Sequence, residues 1–216
     1  MIRRATTLLL GALLAGHAAV SAQQLGLQLG AIVQSARRSA VVDTLGGIGN
    51  ATSSGIEGSL QVALLRVDVR VLRGDFVADS GAFGNGAVTV GSATIGVGGS
   101  HLWLEGGIGR RALTGGFARR VWQYKQVGAG LRLPLAGPLS VQVRGAAYLS
   151  LKETDGPSTG SGRFAETSLW YAPAKLPVYF QVGYRAETLR IDGAGRHSPE
   201  EQSGLTAGGG IRVGRW

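Results

Sequence analysis

The sequence predicts an all-β fold, an up-and-down antiparallel β-barrel that spans a membrane, from three observations. Apolar residues recur at every second position through most of the chain, which is the period of a β-strand rather than of a helix. Charged and amide side chains occupy the alternate positions, so each strand has one apolar and one polar face. The 216 residues include 37 glycines and no cysteine, which excludes a disulfide scaffold, a cysteine-based zinc site and a thiol nucleophile.

The N-terminal segment has the parts of an export signal. Two arginines come first, the run Leu8–Ala15 is apolar, and small residues lead to a cleavage site after Ala22. The apolar run is much shorter than the ~20 residues that a membrane-spanning helix needs. The sequence therefore predicts a cleaved signal peptide over residues 1–22 and one barrel domain over residues 23–216.

The number of strands depends on one long run. Ile56–Arg73 has 18 residues, which is long for a single strand. Its apolar residues are even-numbered before Ala63-Leu64 and odd-numbered after it. We therefore predict a tight turn there that joins Gly55–Val62 to Leu65–Arg73, with a bulge in one long strand as the alternative. With this turn the barrel has ten strands, and eight is the alternative count.

The predicted connections alternate in length, which is typical of outer-membrane barrels. The predicted long connections are Ser35–Ser54, Gly74–Asn85, Leu113–Ala118, Glu153–Gly162 and Asp192–Gln202. The predicted short connections are Gly98–Ser100, Leu135–Pro138 and Pro173–Lys175.

The export signal, the alternating strands, the many glycines, the missing cysteines and the C-terminal aromatic Trp216 resemble the small bacterial outer-membrane β-barrel superfamily. The resemblance is one of pattern and covers the whole mature chain. It implies a multi-pass protein of the outer membrane with both termini in the periplasm, in contact with lipid and lipopolysaccharide. It also implies assembly by the barrel-assembly machinery, with Trp216 as the assembly signal. Ile211 and Val213 depart from the family pattern, because their parity is opposite to that of Trp216. A bulge near Gly214, or a Trp216 that lies off the lipid face, would explain this.

The polar faces of the strands carry five acids and six arginines. This lumen network consists of Glu57, Arg66, Asp68, Arg70, Glu105, Arg132, Arg144, Glu166, Arg185, Glu187 and Arg212. In a membrane the apolar face turns to lipid and the charges turn inward, because burying arginine in lipid is costly. The near balance of charge predicts a paired interior that mostly fills the barrel. A soluble secreted β-protein with an internal apolar core is the alternative class.

A catalytic constellation is not evident in the mature chain. His101 lies beside a short turn and His197 in the last long connection, so we expect them on opposite sides of the membrane. His197-Ser198 beside Glu200 suggests a hydrolase, but barrel-type lipid A deacylases carry His and Ser on one strand with a spacer. Outer-membrane proteases use acids and a His at the extracellular rim, where we expect no strand histidine. The glycine-rich Gly208-Gly209-Gly210 precedes no helix and is not a phosphate loop.

The expected function is therefore a non-catalytic barrel with a structural or surface-interaction role, without metal, cofactor or nucleic-acid partner. A narrow porin-like channel for small solutes is the first alternative, and a lipid-modifying enzyme or protease is the second. Four arginines flank one predicted outer loop, and their planar donors suit phosphate. The predicted lipopolysaccharide contact consists of Arg110, Arg111, Arg119 and Arg120, with ordinary solvated rim charges as the alternative.

Overall fold

A computed structural model of the chain describes six stretches of the sequence. They are residues 25–42, 45–81, 84–114, 120–154, 159–193 and 196–214. The predicted signal peptide and Trp216 lie outside the described residues.

The described residues form ten β-strands that close into a barrel. The strands are β1 Leu25–Val42, β2 Leu45–Val62, β3 Leu65–Gly81, β4 Gly86–Gly98, β5 Leu102–Thr114, β6 Arg120–Pro134, β7 Leu139–Glu153, β8 Thr159–Tyr171, β9 Val178–Gly193 and β10 Arg196–Gly214. Each strand pairs antiparallel with its neighbour in sequence, and β1 pairs with β10. No helix long and apolar enough to cross a membrane occurs in these stretches. The predicted ten-stranded up-and-down barrel is confirmed, and the eight-strand alternative is wrong.

The predicted turn at Ala63-Leu64 is present. β2 ends at Val62 and β3 begins at Leu65, and these two residues face each other in the register. Ala63 adopts a φ of 51°, in the left-handed region that favours glycine. The backbone accepts this conformation, at a cost on the order of 1 kcal/mol, because the pairing on both sides of the turn fixes it.

The predicted long connections are largely strand instead. β1 and β2 pair without interruption from Leu25↔Val62 to Val42↔Leu45, across the segment predicted as the loop Ser35–Ser54. Strands of 13 to 19 residues exceed the ~9–11 residues that a tilted strand needs to cross the bilayer. Above the lipid, the outward face is polar, so the apolar alternation stops while the strand continues.

The two ends of the barrel are named here by their connections. The terminal end is where β1 begins and β10 ends, and it carries the turns at 63–64, 99–101, 135–138 and 172–177. The far end is the opposite one, where β1 meets β2 and β9 meets β10.

The outer surface is apolar, so the soluble alternative is wrong. Leu104, Ile108 and Ile211 are each more than half exposed, and the other strands expose leucine, valine and isoleucine in the same way. A water-soluble barrel would enclose these side chains, whereas lipid solvates them. Ile211 and Val213 face outward, and Gly214 has a φ of 91° that departs from strand geometry.

Aromatic side chains pack inside the barrel where the wall carries glycine. A Cβ added at Gly130 would lie 2.0 Å from the Trp103 ring, and one added at Gly30 would lie 2.0 Å from Tyr179 Oη. Contacts this close require a residue without a side chain. Near the far end, Tyr124 and Tyr148 pack with ring centroids 4.5 Å apart. These rings and the charges between them fill the lumen.

Candidate functional site

The structure places the predicted lumen network inside the barrel. Its eleven side chains are buried or partly buried, and they are Glu57, Arg66, Asp68, Arg70, Glu105, Arg132, Arg144, Glu166, Arg185, Glu187 and Arg212. Arg70 of β3 lies 3.1 Å from Glu166 of β8. These strands are five apart in the ten-stranded sheet, so the two residues meet across the lumen.

The main part of the network is a chain in which arginines and glutamates alternate. It begins towards the far end, where Arg38 Nη2 lies 2.7 Å from Glu200 Oε2. Arg111 donates to Glu200 Oε1 at 2.8 Å through Nη1 and to Glu187 Oε2 at 2.7 Å through Nη2. All four side chains are almost fully buried, and these bonds replace most of the water that the charges have lost, although Arg38 Nη1 is buried without a hydrogen-bond partner.

The chain continues towards the middle of the lumen. Arg185 lies between two acids, with Nη2 3.6 Å from Glu187 and Nη1 3.1 Å from Glu166. Arg70 donates to both oxygens of Glu166, at 3.1 Å and 3.2 Å, in the paired geometry that suits a guanidinium. Arg70 Nη2 also lies 3.3 Å from Glu57.

We call this line of side chains the ion-pair chain. It contains four arginines and four glutamates, so its side chains carry no net charge. Seven ion pairs join its eight side chains in one line from Arg38 to Glu57. Glu57 closes the line by accepting hydrogen bonds from Tyr179 Oη, at 3.1 Å, and from Gln181 Nε2.

Two further ion pairs lie beside this chain. Arg144 Nε donates to both oxygens of Glu105, at 2.7 Å and 2.9 Å, and Trp103 Nε1 donates to Glu105 as well, at 3.0 Å. Arg66 Nε lies 2.8 Å from Asp68, and its guanidinium stacks 4.7 Å from the Trp103 ring centroid. Aromatic rings thus support the charges where carboxylates are fewer.

Two arginines near the terminal end have a different environment. Arg132 Nη2 donates to Gln142 at 2.7 Å and its guanidinium lies 4.7 Å from the Trp170 ring centroid, but its Nε is buried without a hydrogen-bond partner. Arg212 Nη2 donates to the carbonyl oxygen of Ala172 at 3.1 Å. Among the described residues, no ion pair joins either arginine to a carboxylate.

Three cavities lie along the lumen of the part of the barrel that the structure describes, two of them small. A cavity of about 40 Å³ lies beside Glu57 and Asp68, and one of about 30 Å³ lies beside Arg111 and Arg185. A third cavity of about 250 Å³ lies at the terminal end, between Arg132 and Arg212. We call this third cavity the terminal mouth.

Three members of the ion-pair chain were not predicted. Arg38, Arg111 and Glu200 lie near the far end, where the sequence indicated loops and a rim exposed to solvent. Their parity carries the signal, because Arg111 shares the face of Glu105 on β5 and Glu200 shares the face of Arg212 on β10. If the alternation of inward and outward positions is extended beyond the apolar part of each strand, all three residues fall on the inner face.

The predicted lipopolysaccharide contact of Arg110, Arg111, Arg119 and Arg120 needs a correction. Arg111 is 3% exposed and bonded to two buried glutamates, so it cannot reach lipid. The prediction failed because neighbouring residues on a strand point to opposite faces. Arg110 points outward and is exposed. Arg119 and the side chain of Arg120 lie outside the described residues.

The two histidines lie at opposite ends of the barrel. His101 is exposed in the turn between β4 and β5 at the terminal end. His197 lies on β10 at the far end, opposite Asp192 of β9. The prediction that it lies in a loop is wrong, because β9 and β10 continue beyond the lipid. The described residues contain no group of three or more His, Cys, Asp or Glu that could hold a metal ion.

The comparisons with known proteins give the fold. No protein-family model and no curated protein sequence matches the chain. The solved structure of the outer-membrane protease OmpT from Escherichia coli is similar over 90% of this chain and 98% of its own, with a TM-score of 0.51 and 8% identity. Neisserial surface protein A is similar over 88% of this chain and 97% of its own, with a TM-score of 0.46 and 16% identity. The toluene transporter TodX from P. putida covers 90% and 91%, with a TM-score of 0.31 and 9% identity.

The closed ten-stranded barrel of this chain is similar in fold to the outer-membrane protease OmpT. A likeness at 8% identity shows the fold alone, so the activity has to be inferred from the side chains of this chain.

Proposed function

We propose that this protein is a non-catalytic outer-membrane barrel with a lumen closed by its ion-pair chain, and that its outer face contacts lipopolysaccharide. The observation that carries the closed lumen is the unbroken line of seven ion pairs from Arg38 to Glu57. A structural or surface-interaction barrel needs such a filled interior, whereas a channel needs a continuous path.

The sizes of the cavities support closure. The cavities beside the ion-pair chain measure about 40 Å³ and 30 Å³, room for at most a few water molecules each, which supports a lumen without a continuous path for a solute. Barrels of about eight strands are filled by side chains, and aqueous channels belong to barrels of about sixteen. Ten strands lie much nearer to the filled class.

Conductance separates the closed barrel from a narrow porin-like channel. The protein, refolded and inserted into a planar lipid bilayer, should give no steady current, and a general porin in the same bilayer is the positive control. A stable single-channel conductance that appears with each insertion would instead establish the channel.

An enzymatic role requires a separate test, because His197 and Asp192 face each other in the register at the far end. Refolded protein should neither cleave a mixture of fluorogenic peptides nor remove acyl chains from lipid A. Turnover that is lost in His197→Ala but retained in His101→Ala would overturn the non-catalytic proposal.

The lipopolysaccharide contact is supported by a groove on the outer face. Arg110 of β5, Lys125 of β6 and Lys152 of β7 all point outward and are exposed, and they line one cavity of about 500 Å³. In the register Arg110 faces Gln123, and Gln123 faces Lys152, so the cations surround a single position on the wall.

The groove combines two kinds of surface. Its walls carry the three cations, while Ile108 and Ala93 provide an apolar part that continues into the lipid-facing belt. Phosphates of lipid A fit the cations and an acyl chain fits the apolar part. The proposed contact thus keeps Arg110 from the original prediction and replaces Arg111 by two lysines.

Two triple variants test this contact. Arg110→Gln/Lys125→Gln/Lys152→Gln should bind lipid A about tenfold more weakly at low ionic strength, where exposed charges act most strongly. Arg37→Gln/Arg73→Gln/Arg163→Gln removes three outward cations from β1, β3 and β8 and should bind like the parent. Equal loss in both triples would indicate a general charge effect, and no loss in the first would exclude the groove.

A further inference from the structure

Charge is unevenly distributed along the lumen. The ion-pair chain and the pairs Arg144–Glu105 and Arg66–Asp68 match each arginine with a carboxylate. The remaining lumen arginines, Arg132 and Arg212, lie at the terminal mouth, and no ion pair joins them to a carboxylate among the described residues. A buried cation without a counter-charge is costly. An anion bound in the mouth would supply that counter-charge to Arg132 and to Arg212, so its binding is favourable.

The geometry of the terminal mouth suits a ligand with several oxygen atoms. Arg132 projects from β6 and Arg212 from β10, and both line the same cavity of about 250 Å³. Arg132 Nε is buried and has no hydrogen-bond partner, although it is an obligatory donor. Ser140 adds a hydroxyl to the lining, beside the two guanidiniums.

We propose that the terminal mouth binds a small soluble oxyanion, a phosphate or a small carboxylate, between Arg132 and Arg212. Guanidiniums recognise both anions through paired N–H donors. Arg132 and Arg212 are partly buried in the lumen, and the rest of the lining includes the turn residues Ser100, His101 and Gly137, so a soluble anion reaches the mouth from the end of the barrel. Its volume accommodates an anion of this size together with water.

The anion stops at this point in the lumen. Beyond the mouth the free space falls from about 250 Å³ to about 40 Å³, and the arginines that line this smaller cavity, Arg66, Arg70 and Arg144, already have carboxylate partners. The mouth is therefore a binding site with one entrance, distinct from the groove proposed for lipopolysaccharide on the outer face.

The test is isothermal titration calorimetry, in which inorganic phosphate is added to the refolded protein in a neutral detergent. The parent should bind one phosphate, and Arg132→Gln and Arg212→Gln should each weaken binding roughly tenfold to a hundredfold, the range for a charged hydrogen bond. Arg212→Lys should keep part of the affinity. Arg37→Gln and Arg73→Gln, which remove outward charges, should leave it unchanged.

The outcomes separate this site from the closed lumen. No phosphate binding by the parent, or equal weakening in Arg37→Gln, would overturn the site without bearing on conductance. A steady conductance would overturn the closed lumen while leaving the binding measurement valid. A second titration uses succinate in place of phosphate, as the small carboxylate. If added phosphatidylglycerol competes with phosphate, the mouth binds a lipid headgroup and the proposal is overturned. Lost binding in Arg132→Gln counts only if its heat-dependent gel mobility matches the parent.

Discussion

Arginine side chains have opposite environments in the ion-pair chain and at the terminal mouth. In the chain, Arg70, Arg111 and Arg185 each bridge two glutamates. At the mouth, Arg132 rests on an aromatic ring and an amide instead of a carboxylate. The difference teaches that pairing determines what a buried charge does. Paired charges join opposite walls of the barrel, whereas the two arginines at the mouth have no carboxylate partner among the described residues.

The largest expected effect comes from breaking the chain at its centre. Glu166→Leu removes the acid shared by Arg70 and Arg185 and leaves both guanidiniums without that partner. We expect a loss of about 3–5 kcal/mol in the free energy of unfolding, the range for breaking a buried ion pair. Urea titration measures it, and an unchanged midpoint would contradict the pairing.

A smaller but sharper effect is expected from two neighbours on β5. Arg111→Leu leaves Glu187 with Arg185 and Glu200 with Arg38 as their remaining arginine partners, and should cost about 3 kcal/mol. Arg110→Leu changes an outward, exposed side chain and should remain within about 0.5 kcal/mol of the parent. Equal effects in the two variants would contradict the assignment of strand faces.

At the terminal mouth, removing an arginine should cost little. Arg132→Leu leaves no carboxylate unpaired and relieves a buried donor, so we expect a change of less than about 1 kcal/mol, of either sign. Phosphate should stabilise the parent, since it binds only the folded state, and should not stabilise this variant. A loss as large as that in Glu166→Leu would remove the distinction between the two regions.

The smallest effect is expected on the lipid face. Val143→Leu adds a methylene to an exposed outward side chain and should change the unfolding free energy by less than about 0.5 kcal/mol. The comparison variant is Arg144→Leu, at the next residue, which faces the lumen. This variant leaves Glu105 without its arginine. A large effect in Val143→Leu would place that residue inside.

Parity explains why so much of the fold could be predicted. A strand has two faces with different solvents, so alternation gave the strand count, and the parity change at Ala63-Leu64 located a turn that its residues do not favour. Apolar alternation stops where both faces of a strand carry polar side chains. That is why the far ends of the strands were predicted as loops and why Arg38, Arg111 and Glu200 were not predicted to lie in the lumen.

The individual ion pairs lay beyond sequence analysis for a different reason. Arg70 and Glu166 are 96 residues apart, and they meet only because the closed barrel brings β3 opposite β8. Near balance of charge predicted that pairs would form, but not that the unpaired arginines would collect at one end. That follows from depth in the lumen, which depends on the stagger of every strand.

The most direct test of the account is the conductance of a barrel whose ion-pair chain has been emptied. Glu166→Ala, Arg185→Ala, Glu187→Ala and Arg111→Ala together remove two charges of each sign and leave the net charge unchanged. Retained heat-dependent gel mobility establishes that the variant still forms a closed barrel. In planar bilayers we expect the parent to be silent and the quadruple variant to conduct steadily. A parent that conducts as well as the variant would contradict the closed lumen.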